Sequence, residues 1–268
     1  MKTEDLKSIV KEKYGKIATQ SKVQNETSCC GATGSCSTVD YTIFSESYEK
    51  QKGYNAEADL GLGCGIPTQF AGIKAGDSVL DLGSGAGNDC FVARALVGET
   101  GHVTGIDFTE AMLEKAKRNA IKLGFDNVEF IQGDIEEMPM ADNGYDVVVS
   151  NCVLNLVLDK NKAFAEIYRV LKPKGSFCVS DVVLKGNLPE KLRKDAEMYA
   201  GCVSGAIEMD TYLDIINKNG FQKIILHKQK EIEIPEEVLL KFLTKQEIAD
   251  LKKEGRGIFS ITVSGYKA

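Results

Sequence analysis

The stretch VLDLGSGAGND, residues 79–89, decides the fold. It joins an apolar run, Ser78–Leu82, to a segment, through about Val97, whose apolar residues recur at helical spacing. Between them Gly83, Gly85 and Gly87 occupy alternate positions, and a backbone without Cβ atoms can turn sharply there and come close to a ligand. A glycine turn alone is a weak signal. Here it follows a strand and opens a helix, and Asp107 ends the next strand, 20 residues after Gly87, where a carboxylate can accept both hydroxyls of a ribose. A dinucleotide-binding site is the first reading to weigh.

Working outward, strands and helices alternate. Strands are expected at 78–82, 102–107, 128–132, 145–150 and 176–183. Helices are expected from Glu110 to Lys122 and from Lys160 to Leu171, the second stopped by the KPKG of residues 172–175. This succession predicts a doubly wound, mostly parallel α/β sheet of Rossmann-like type. Further helices are expected near 189–201 and 209–219, and strand candidates at 222–234 and 259–266 flank a helical segment at 236–253. Ile9, Val10 and Tyr14 suggest a short helix near the start. The chain therefore divides into an N-terminal helical and loop segment containing cysteines (1–75), a cofactor-binding core (76–185) and a C-terminal α+β extension that caps the substrate site (186–268).

Composition excludes several classes. The 268 residues are 43% hydrophobic, ordinary for a globular protein, and the net charge of −6 with no long basic run argues against nucleic acid. The first residues, MKTEDLKSIVKEKYG, lack the apolar core of a signal peptide. The most apolar stretch, 145–158, is too short to cross a bilayer and is broken by Ser150, Asn151 and Asn155. A cytoplasmic protein without a membrane partner is expected, working as a monomer. Only His102 and His227 are available, which leaves little for a Ser-His-Asp triad.

Three details turn the glycine loop away from dinucleotides. The spacing is G-x-G-x-G with Asp81 just ahead. A second acid, Asp134 in QGDI (132–135), follows the third strand, where it can accept from an adenine amino group, with Ile135 beside it. The helix before the fifth strand ends RVLKPKG (169–175). Together these resemble class I methyltransferases that use S-adenosylmethionine. The resemblance implies cofactor contacts at Asp81, Gly83, Gly85, Gly87, Asp107, Asp134 and Ile135.

Eight cysteines complete the pattern, at 29, 30, 36, 64, 90, 152, 178 and 202. In a cytosolic chain these are thiols, ligands or redox partners before they are structural disulfides. Cys178 in an apolar strand and Cys90 in the first helix read as core. Cys152, in SNCVLNL (150–156), falls just past the fourth strand, where ligands of open α/β sheets lie. Cys64 in GLGCGIP (61–67) and Cys202 in YAGCVSGA (199–206) sit among small residues, which should hold them accessible to a large ligand. Thiols beside a methyl donor point to redox chemistry or to capture of a soft element. Zinc fits poorly, since no C-x-x-C pair is present.

The segments SCCG (28–31), LGCGIPT (62–68), VLDLGSGAGNDCF (79–91), SNCVLNL and AGCVSGA (200–206), with Tyr14-Gly15, closely resemble the arsenite methyltransferases over roughly residues 14–221. The resemblance implies that Cys64, Cys152 and Cys202 bind trivalent arsenic and carry catalysis, the last two being the minimum for methylated arsenic. It also implies turnover with a thiol reductant, thioredoxin or glutathione, and a detoxifying role, and it makes Cys29, Cys30 and Cys36 candidate redox partners. Asn88, Ile66 and the absence of tryptophan depart from the family without removing a ligand. The rival readings are methylation of a quinone or sterol, non-catalytic binding of arsenite or antimonite, and an NAD-dependent dehydrogenase, which the glycine spacing disfavours.

Overall fold

The computed structural model describes residues 3–20, 46–186, 205–232, 236–240 and 243–268. Cys29, Cys30, Cys36, Cys202 and the helix expected near 189–201 lie outside these residues. Helix α1 (Thr3–Ala18) is followed by β1 (Ser78–Leu82), α2 (Asn88–Val97), β2 (His102–Asp107), α3 (Glu110–Leu123), β3 (Val128–Gln132) and β4 (Tyr145–Asn151). Then come α4 (Lys160–Val170), β5 (Leu171–Lys185), α5 (Met209–Lys218), β6 (Gln222–Ile232), α6 (Glu236–Leu239), α7 (Lys245–Lys253) and β7 (Gly257–Tyr266).

The strands form one seven-stranded sheet in the order β3-β2-β1-β4-β5-β7-β6. β1 to β5 are parallel, while β7 runs antiparallel between β5 and β6. The doubly wound expectation therefore holds. From β1 the chain winds outward through β2 and β3, then returns to the other side of β1 for β4 and β5. This reversal opens a crevice at the carboxyl ends of β1 and β4, where a ligand can enter such a sheet. The glycine loop leaves β1 there, and Cys152 leaves β4 beside it.

Strand alternation distributes the core. Leu80, Leu82 and Val148 face the layer of α4 and α5, packing with Phe164, Ile167 and Tyr212. Val79, Val147 and Val149 face α2 and α3, packing with Phe91, Ala93, Leu113 and Ala116. Full burial of each large apolar side chain is worth about 1.5–3 kcal/mol, so both faces hold the sheet rigid beneath the crevice. A third cluster gathers Cys64, Cys152, Val182, Leu184 and Ala206 with Ile232, Leu243, Ile248, Leu251 and Ile258, so the C-terminal elements roof the ends of β4 and β5.

Three departures from expectation stand out. Helix α1 is 16 residues long, where a short helix was expected. Helix α4 stops at Val170, and β5 starts at Leu171, because KPKG forms an irregularity within the strand. Pairing jumps from Tyr145↔Leu171 to Val147↔Ser176, and Lys174 takes a positive φ of 68°. The 236–253 segment holds two helices, α6 and α7, where one was expected.

Candidate active site

The glycine loop is built as its sequence requires. Gly83, Gly85 and Gly87 have φ values of 66°, 52° and 97°, a region that residues with a Cβ rarely adopt. The amides of Gly83 and Ser84 donate to the Ile106 carbonyl at 2.8 and 3.0 Å, tying the loop to the end of β2. A Cβ at Gly83 would collide with Val153, the residue after Cys152, so the loop and the end of β4 are in direct contact.

The loop forms one wall of an open cleft of about 1340 Å³ counting its mouth, lined also by Cys152, Val153, Leu156 and, from the N-terminal segment, Lys7, Val10 and Tyr14. Its charge is one-sided. Among the described residues, Glu46, Asp59, Asp81, Asp89, Asp107, Asp134 and Glu136 line it, against a single ammonium, Lys7. The pyrophosphate of a dinucleotide would be repelled here, whereas a ligand carrying positive charge is favoured.

The sequence-predicted acids all reach this cleft, as does Ile135, with distinct partners. Asp107 accepts from the Gly85 amide (3.0 Å) and the Thr109 amide (2.8 Å); burial raises its pKa, and these donors only partly offset that. Asp81 accepts from the Cys90 thiol at 3.1 Å, and burial followed by the neighbouring Asp89 pushes its pKa well up. Asp134 is paired with Lys7 at 2.6 Å and accepts from the Glu136 amide. Burial alone would raise its pKa, but these donors bring it below the usual carboxylate range. Cys90 and Cys178 are fully buried, as the core reading anticipated.

Cys64 and Cys152 come together in one buried cluster, although 88 positions separate them in the chain. Cys152 holds a left-handed backbone, φ 58°, with its amide donating to the Ser180 carbonyl at 2.7 Å. The Cys64 amide donates to the Asn151 side-chain oxygen at 3.0 Å. The glycines around Cys64 do not leave it accessible as anticipated, for Cys64 is buried. A Cβ at Gly63 would strike the Asn151 amide, and one at Gly65 would lie 2.5 Å from Ser180 Oγ. These glycines let the loop press against β4 and β5.

Comparison with known proteins completes the picture. Residues 73–231 match a family described as "Methyltransferase domain". An arsenite methyltransferase of Halobacterium salinarum is 40% identical over 240 residues, covering 85% of this chain and 60% of that protein. One from Aquipseudomonas alcaligenes is 34% identical, covering 86% and 66%. The crystal structure of CrArsM, an arsenic (III) S-adenosylmethionine methyltransferase from Chlamydomonas reinhardtii, superposes with a TM-score of 0.65 at 36% identity, covering 77% of this chain and 68% of that one. The chain belongs to the arsenite methyltransferase family. It has the class I methyltransferase fold, and it spans about three-fifths to two-thirds of the length of these two curated relatives.

In this arsenite methyltransferase family member, sequence reasoning overlooked a polar group beneath the cysteines. The Tyr48 hydroxyl donates to Asp89 (2.7 Å), and the Asn151 amide nitrogen donates to the Tyr48 hydroxyl (2.7 Å), the Gly65 carbonyl (2.9 Å) and Asp89 (3.1 Å). Asn151 had registered only as a polar break in an apolar run; its place next to Cys152 was the available signal. Lys7 carried no signal, and Tyr14 signalled only a helix and the family resemblance, because nothing local in an amphipathic helix reports which crevice it covers.

Proposed function

We propose that this chain methylates trivalent arsenic, arsenite first and methylarsenite next, with S-adenosylmethionine as donor. The observation that carries this reading is the meeting of Cys64 and Cys152 in one buried cluster at the end of β4, with Cys152 also lining the acidic glycine-loop cleft. The residues present fit the cofactor. Ser84 Oγ and Asn88 Oδ1 are buried without a hydrogen-bond partner on the cleft wall, the glycine loop leaves open space at Gly85, and the carboxylates suit a cation. When bound, S-adenosylmethionine supplies an electrophilic methyl group on a sulfonium sulfur. We assign Asp107 to the ribose, Asp134 and Ile135 to the adenine side, and Asp81, Gly83, Gly85 and Gly87 to the rest of the cofactor.

The thiols of Cys64, Cys152 and Cys202 exchange onto arsenite, releasing three water molecules and forming three S–As bonds. Arsenic held this way keeps a lone pair and acts as the nucleophile, so no general base has to generate one. That accords with a site lacking histidine. Catalysis is then chiefly placement of two bound partners in line. Transfer of the methyl cation oxidises arsenic formally by two electrons. A disulfide between protein cysteines returns them, with Cys29, Cys30 and Cys36 as candidate partners, and thioredoxin or glutathione resets the thiols. In this reading residues 1–75 and 186–268 complete the substrate site around the 76–185 core, and the enzyme is a cytoplasmic monomer serving arsenic detoxification.

Incubating the purified protein with arsenite, S-adenosylmethionine and a thiol reductant should yield methylarsenicals, separated by chromatography with arsenic-specific detection. Cys152→Ser and Cys202→Ser should each abolish them; turnover that survives both substitutions would remove the ligand assignment.

A further inference from the structure

Asn151 does more than close β4. Its side-chain amide grips the backbone on both sides of the Cys64 side chain. The oxygen accepts from the Cys64 amide at 3.0 Å, and the nitrogen donates to the Gly65 carbonyl at 2.9 Å. The contact is close enough that Gly63 has no room for a Cβ against the same amide. Tyr48 and Asp89 fix which way the amide faces. The Tyr48 hydroxyl gives its proton to Asp89 at 2.7 Å, which leaves its lone pairs to accept from the Asn151 nitrogen. A flipped amide would set its oxygen against the Gly65 carbonyl and the Asp89 carboxylate, and its nitrogen against the Cys64 amide. All three encounters are repulsive.

The next residue along is Cys152. Its own amide is anchored to the Ser180 carbonyl at 2.7 Å, and Ser180 Oγ lies within 2.5 Å of where a Gly65 Cβ would sit. One strand end thus supplies the Cys152 thiol directly and holds the Cys64 thiol through a side chain. We propose that Asn151 is the positioning residue that sets the Cys64 thiol against Cys152 before arsenic arrives, with Tyr48 and Asp89 locking its amide. The proposal rests on the reading of Cys64 and Cys152 as arsenic ligands. Its physical content is pre-organisation: a loop already held at the Cys64 amide and at the Gly65 carbonyl one residue on loses little further freedom on binding, whereas an untethered loop is ordered at the expense of affinity.

The test is a double-substitution cycle on arsenite affinity, measured by equilibrium dialysis with arsenic detection and without cofactor, so that any contact between Asn151 and the cofactor contributes nothing. Asn151→Ala in the parent chain should weaken arsenite binding roughly tenfold, as loss of one to two net hydrogen bonds of positioning predicts. In a Cys64→Ser background the same substitution should leave affinity unchanged, because no Cys64 thiol remains to be placed. Tyr48→Phe, which keeps the ring and removes only the hydroxyl, should show the same coupling at smaller size, and it carries the cycle if Asn151→Ala does not fold. An equal loss with and without the Cys64 thiol, or no loss in either, overturns the clamp alone. Failure of the parent chain to bind arsenite, or indifference to Cys64→Ser, overturns the arsenic reading and the clamp with it.

Discussion

Cys152 is where sequence chemistry and backbone conformation collide. A left-handed φ of 58° at a residue with a Cβ costs roughly 1–2 kcal/mol, and it persists here because the Ser180 carbonyl holds the Cys152 amide. Glycine removes that strain, while a β-branched residue increases it. Cys152→Val should therefore be less stable than Cys152→Gly by at least about 1 kcal/mol in urea unfolding, although valine fills the buried site better. The reverse order would show that burial, not backbone strain, governs this position. From sequence this thiol was legible as one at the cleft that it lines, because a strand end in an open α/β sheet has a known place. Its strain was not legible, since φ at a loop residue is set by what anchors its neighbours.

At the scale of elements, α1 behaves as a wall of the cleft. Its C-terminal end is tied to α3, where the Lys115 ammonium donates to the carbonyls of Ala18 (3.1 Å) and Gln20 (2.9 Å). Near its other end Lys7 pairs with Asp134 and Glu136. Lys7 and Asp134 are each close to half exposed, and the buried Glu136 keeps the Asp159 amide as a donor (2.7 Å), so removing the Lys7 ammonium should cost only about 1 kcal/mol of stability. Its effect should fall on the cofactor. Lys7→Ala frees one edge of the wall, and S-adenosylmethionine should dissociate several-fold faster in stopped-flow measurements while the melting temperature barely moves. An unchanged dissociation rate would make α1 a structural element only. The core strands and α2 to α4 were readable because their apolar periodicity is local. Helix α1 was underestimated because much of what stabilises it is long-range, through α3 and the β3 loop.

The whole molecule carries two opposing sets of titrating carboxyls. Glu166 is held low by Arg169, while Asp134 and Asp146, which burial alone would raise, are drawn down by Lys7 and Lys172. Their stabilisation is present above the unfolded carboxyl range near 4 and lost as pH falls through their lower folded values. Asp89 and Asp181 are pushed up to about 6, first by burial; Tyr48 and Asn151 temper the first, Lys160 and Tyr212 the second. A carboxyl whose folded pKa is raised contributes stability fully below about 4, and that contribution is lost as pH rises through about 6. Urea unfolding across pH 3–8 should therefore show greatest stability near pH 4, a decline between about pH 4 and 6 that Asp89→Asn flattens, and little further change to pH 8. Stability climbing steadily to pH 8 would contradict the raised values.

By itself the sequence determined the sheet, its winding, the glycine loop and the carboxylates on its rim. Each of these follows from residues adjacent in the chain: apolar alternation, glycines at a turn, an acid at a strand end. Tertiary structure alone decided that Cys64 shares a buried cluster with Cys152, that Asn151 grips the Cys64 loop, and that Lys7 crosses to Asp134. Such contacts join residues 87 to 127 positions apart, and the 3.6- and 2-residue periodicities that betray helices and strands hold no information about them. The glycines framing Cys64 show the difference most plainly. In sequence they announced space around a thiol, and the folded chain fills that space with Asn151 and Ser180, because close packing leaves few gaps unfilled.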